Sequence, residues 1–103
     1  MNYSLDITES FENDVGSVIE YISHKLYNPA AAERLLNDAE TTVSKIAENP
    51  FLYPVYHDEI ISEKGYRYAV VSKYLIFYSV DEAGKTIHIS RFLYGGQNIA
   101  EIL

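Results

Sequence analysis

The chain has 103 residues, 48% hydrophobic and 22% charged, with no cysteine and a net charge of −7. These totals describe one domain spanning 1–103 with one core, and they exclude disulfides and thiolate metal sites. No apolar run approaches the ~18 residues of a membrane span and no secretory signal opens the chain, so a cytoplasmic protein is expected.

Tyr3, Leu5 and Ile7 alternate with Ser4 and Asp6, the period of a half-buried strand. From Thr8, a suitable N-cap, the apolar set becomes Phe11, Val15, Val18, Ile19, Ile22 and Leu26, an amphipathic helix in which Gly16 suggests close contact with another element. Asn28 and Pro29 then form a second cap and first helical position. The stripe Leu35, Leu36, Ala39, Val43, Ile46 and Ala47 follows, and Pro50 forces an ending near Asn49. The short connection at 26–28 makes the two helices an antiparallel pair.

Phe51 to Tyr56, bracketed by prolines, reads as a packed loop, and 57–65 is polar and acidic. Strands are expected over 66–71 and 74–80 around a two-residue turn at Ser72-Lys73. A second turn spans Asp81 to Lys85, with Gly84 available for a positive φ. A last strand covers 86–94, and 97–103 forms one or two helical turns. The order β-α-α-β-β-β is an α+β fold in which a two-helix hairpin covers one face of an antiparallel sheet.

Charge is divided unevenly along this order. Residues 1–63 carry three basic and twelve acidic side chains; residues 64–103 carry five basic ones (Lys64, Arg67, Lys73, Lys85, Arg91) and three acidic. A surface that meets an anion is therefore built from the second half. By simple alternation Arg91 shares a side with Ile87, Ile89 and Leu93, where a charge is unexpected. Either the strand end sits at the sheet rim or a carboxylate holds the guanidinium. Arg67 shares a side with Ala69 and Val71, so the same question applies there. His57 and His88 are the histidines nearest the basic half, but they read as surface or packed residues. The three histidines have no metal-ligand spacing, and neither a Gly-rich phosphate loop nor a Ser/His/Asp pattern is present. No metal or cofactor is expected. Of the ten tyrosines, Tyr66, Tyr68, Tyr74 and Tyr78 could stack on bases, but they also suit strands and protein interfaces, and packing and partner contact are expected for most.

The segments "ENPFLYPVY", "YRYAVVSKYLIFYSVDEAGKTIHISRFLYGG" and "IAEIL", in this order, resemble the RelE/ParE superfamily of bacterial toxins, also called plasmid stabilization proteins. The resemblance implies the toxin half of a type II toxin-antitoxin pair, neutralised by a cognate antitoxin encoded by an adjacent gene. It also implies one of two targets: the ribosome, where some members act as endoribonucleases that cut mRNA and inhibit translation, or DNA gyrase, which ParE-type members poison without cutting RNA. Carried over by position, Arg67, Arg91 and Tyr94 match the catalytic positions of the ribonuclease members, and Lys64, Lys73 and Gln97 are the expected RNA contacts. Where members of this branch commonly carry two basic residues and an Asp, this chain reads Gly96-Gln97-Asn98. That loss of positive charge opens a third reading, a weakened member that mainly binds its antitoxin.

Overall fold

A computed structural model describes residues 3–58 and 64–103. Along them run β1 (Ser4–Ile7), α1 (Glu9–Glu20), a π-helical turn (Tyr21–Lys25), α2 (Pro29–Glu48), β2 (Arg67–Val71), β3 (Tyr74–Asp81), β4 (Thr86–Tyr94) and α3 (Ile99–Ile102). Part of the polar stretch at 57–65 lies outside the described residues.

The helix boundaries follow from their caps. Thr8 Oγ1 accepts from the Phe11 amide at 3.1 Å, and the same hydroxyl approaches the Ile89 and Ser90 carbonyls at 2.9 and 3.1 Å. The cap thus fastens the start of α1 to β4 as well as satisfying a free amide. Asn28 Oδ1 accepts from Ala31 N–H at 3.1 Å with Pro29 in the first turn, and α2 stops at Asn49 ahead of Pro50. Between the helices the chain widens into the π turn and reverses at Tyr27, whose φ is +51°. Gly16 does not mark a close approach: a Cβ there would meet nothing within 4 Å.

The sheet order is β1-β4-β3-β2. The three C-terminal strands form the expected antiparallel meander, but β1 pairs with β4 in parallel, from Ser4 opposite Thr86 to Ile7 opposite Ile89. The sheet is therefore mixed. Alternation identifies β1 as a strand, but its partner depends on where the two-helix connection returns the chain.

Both faces of the sheet are packed. Tyr78, Ile76, Ile87, Ile89, Phe92, Ala69 and Val71 meet Phe11, Leu35, Ala39 and Ile46 from the helices. On the other face, Phe77, Leu93 and Ile99 are buried among Tyr56, Tyr66, Tyr68, Leu75, Ile102 and Leu103. Adjacent Phe77 and Tyr78 are both fully buried on opposite sides, so two apolar clusters replace the single one expected.

A bulge decides which residues face which way. Phe77 pairs with Arg91 and Tyr78 with Ile89, leaving Ser90 as one extra residue in β4. Alternation restarts there. Ile87, Ile89 and Phe92 face the helices, Leu93 faces the second cluster, and Arg91 does not share a side with Ile87 and Ile89. The β3–β4 turn also differs from expectation: the positive φ belongs to Lys85 (+52°), not Gly84. Gly84 instead lets Asp81 fold over the turn: its N–H donates to Asp81 Oδ1 at 3.0 Å, and a Cβ would lie 2.5 Å from Oδ2 and push that carboxylate aside.

Candidate binding cleft beside strand four

β1 protects the outer edge of β4 only as far as Ile89. Beyond it, α1 takes over. Asp14, on the same helix, points its carboxylate at the open edge and accepts three hydrogen bonds. Arg91 donates from Nε to Oδ2 at 2.7 Å and from Nη2 to Oδ1 at 2.9 Å, and the Phe92 amide donates to Oδ2 at 3.0 Å. The pair is largely sheltered, with the two side chains 28% and 16% exposed. The hydrogen bond to Asp14 pushes the Arg91 pKa above its ordinary value, outweighing the opposite effect of burial. Of the two readings left open for Arg91, the carboxylate partner is the one observed.

From this pair an open cleft of about 460 Å³ runs between α1 and the end of the sheet, with Val18, Tyr21, Tyr74, Tyr94 and Gln97 along its walls. Tyr74 stacks on Phe92 with ring centroids 5.1 Å apart, and Tyr94 meets Tyr74 edge-on at 6.0 Å. Burial, followed by the neighbouring Tyr21 and Tyr94, raises the Tyr74 pKa, so this phenol stays protonated at neutral pH. The Gly-Gly after β4 shapes the rim. The Gly95 N–H donates to the Lys73 carbonyl at 2.9 Å, and Gly96 leaves room for the Tyr94 ring, whose Cε2 would lie 2.5 Å from a Cβ there. Gln97 closes the turn: its Oε1 accepts from Tyr94 N–H at 3.0 Å.

Arg91, Tyr94 and Gln97 therefore share one cleft. Lys73 borders it at the β2–β3 turn, lining an adjoining hollow with Tyr21, Tyr74 and Tyr94. Arg67 and Lys64 lie elsewhere. Arg67 is on β2, separated from β4 by β3, and its Nη1 donates to the Tyr53 carbonyl at 2.7 Å while the guanidinium lies 5.1 Å from the Phe51 ring centroid. Lys64 Nζ donates to the Leu103 carbonyl at 2.5 Å. His88 is tied to Asp6 at 2.7 Å across the β1–β4 pair, and neither it nor His57 lines the cleft. Among the described residues, no group of three or more His, Asp or Glu side chains could hold a metal, and no helix is long and apolar enough to cross a membrane.

The sequence reading did not single out Asp14 or Tyr21, and of the four strand tyrosines it named only Tyr74 lines the cleft. A signal for Asp14 was present, since it falls between Phe11 and Val18 at three- and four-residue steps and so interrupts the apolar stripe with a charge. Chemically, the cleft offers exposed aromatic faces, phenol and amide groups, and a guanidinium whose fork is already filled.

No curated protein sequence matches the chain. In fold it is similar to a chain of the chromosomal ParDE toxin-antitoxin system of P. aeruginosa, with a TM-score of 0.72 and 19% identity over 89% of this chain and 95% of that one. It is also similar to a chain of the RelBE2 toxin-antitoxin complex of Mycobacterium tuberculosis, with a TM-score of 0.60 and 16% identity over 91% and 99%. A sequence model describing the ParE toxin of type II toxin-antitoxin systems matches residues 5–99. With that match over nearly the whole two-helix, four-strand fold, the chain belongs to the ParE toxin family of type II toxin-antitoxin systems.

Proposed function

We propose that this toxin arrests growth by docking on DNA gyrase and does not cut mRNA. The observation that carries the reading is the Asp14–Arg91 pair. Cutting RNA through its 2′-hydroxyl needs a cation free to meet the phosphate, together with an acid and a base beside it. Here the Arg91 fork is occupied, Arg67 is engaged with Tyr53 on the far side of β3, and no imidazole reaches the cleft. A net charge of −7 also opposes approach to ribosomal RNA. Exposed tyrosines, by contrast, suit a protein partner.

The toxin works in the cytoplasm, where its target lies. A cognate antitoxin, encoded by an adjacent gene, restrains it, and this pairing stabilizes the replicon that carries both. Induced expression tests the target: DNA breaks with an SOS response are expected, relieved by co-expressing the neighbouring reading frame. In-frame mRNA cleavage without DNA breaks establishes the translation-inhibiting endoribonuclease reading instead. Normal growth at full expression leaves only the weakened, antitoxin-binding form.

A further inference from the structure

The three donors that converge on Asp14 have the composition of an oxyanion site: a guanidinium fork presenting Nε and Nη2 in parallel, and a backbone amide one residue along. A phosphate group would use the same donors. The site is built on rigid elements, since β4 carries both Arg91 and the Phe92 amide and the capped α1 carries Asp14. No other described basic side chain lines the cleft.

We infer that Arg91 and the Phe92 amide form an anion site whose resident anion is the protein's own Asp14, making Asp14 the residue that keeps phosphodiester out of the cleft. This rests on the proposed non-cleaving function and names the residue that sets it. An intramolecular carboxylate needs no capture from solution and is present at a high effective concentration, so free phosphate competes poorly. Removing the carboxylate while keeping the donors leaves a partly sheltered guanidinium and a free amide, both of which favour an incoming phosphate. Asp14 is a positioning and specificity residue here, and its loss is expected to add an activity, an outcome that a merely structural ion pair does not produce.

The test uses the full chain and a short fluorescent oligoribonucleotide in low salt. Wild type is expected to bind weakly, Asp14→Ala at least tenfold more tightly with strong salt dependence, and Asp14→Ala with Arg91→Ala no better than wild type. Asp14→Asn keeps an acceptor for the Phe92 amide and decides the matter if the alanine variant does not fold; it too is expected to gain affinity. Equal binding by wild type and the folded variant, or a gain that survives Arg91→Ala, overturns the inference. A second reading needs no variant: the Arg91 Nε–H resonance of wild type is expected to stay unmoved as inorganic phosphate is added, and a saturable shift overturns the proposal. Failure of the gyrase reading is registered separately, as mRNA cleavage by wild type in cells.

Discussion

Tyr78 is fully buried under the helices, and its hydroxyl donates to the Pro50 carbonyl at 2.8 Å. Burial pushes its pKa up to about 12, with nearby Arg67 opposing the rise. An unfolded phenol titrates near ~10, so the folded chain holds this proton to higher pH than the unfolded chain. The resulting stability is complete below about pH 10 and drains away as pH rises towards about 12, by at most ~1.4 kcal/mol per pH unit. Denaturant midpoints are expected to fall over that window. In Tyr78→Phe this contribution to the alkaline slope should vanish, at a cost of about 1 kcal/mol at neutral pH for the lost hydrogen bond; an unchanged slope assigns the sensitivity to other tyrosines. Legibility was uneven at this scale. The weight given to Arg91 and Tyr94 led to the cleft, while Arg67, chosen by the same positional logic, proved to pin the 50–55 loop. Sequence position does not reveal which of two arginines lies beside a carboxylate contributed by a distant helix.

The helices and most strand boundaries were legible because their signals are local. Caps at Thr8 and Asn28, a proline stop and period-2 runs each act within a few residues. Gly16 was misread for the same reason: its spacing invites a packing explanation, while the space around it is open. Gly16→Ala is therefore expected to stabilise α1 by up to about 1 kcal/mol, since no contact opposes the gain in helix propensity. A thermal midpoint roughly 4–8 °C higher would register it, and a lower midpoint would mean that the glycine serves the fold in a way its surroundings do not reveal. The parallel pairing of β1 and the second apolar cluster were not legible. Both depend on where separated parts of the chain come back together.

For the whole molecule, Arg67 and the rim tyrosine Tyr94 predict different phenotypes. Tyr94 is half exposed, so Tyr94→Ala should leave the folded protein about as stable as wild type and weaken growth arrest, as a lost interface anchor does, by at least ~1–2 kcal/mol of target affinity. Arg67→Ala should do the opposite: a loss of about 1–2 kcal/mol in denaturant unfolding, with arrest preserved per folded molecule. Measuring stability and growth for the pair checks both. If Arg67→Ala abolishes arrest while folding normally, the two arginines act together on a substrate and the ribonuclease reading gains ground. The acidic first half and basic second half were plain in the sequence. The shape that joins an acid from the former to an arginine from the latter was not.

The unpaired Ser90 also makes β4 unequally tolerant of changes in length. Because Ile89 and Arg91 are opposite neighbouring residues of β3, excising Ser90 would leave every other pairing and every facing direction as they are. Inserting one more residue after Arg91 would instead move Phe92 off the helical side into the second cluster and Leu93 the opposite way, breaking the packing of both faces. A one-residue deletion here is thus expected to yield a folded protein missing only Ser90's own contacts, its carbonyl to Thr8 and its hydroxyl to the His88 carbonyl, while a one-residue insertion two positions later should not fold. The strand carries a spare residue, and family members of different length at this point could present the same cleft.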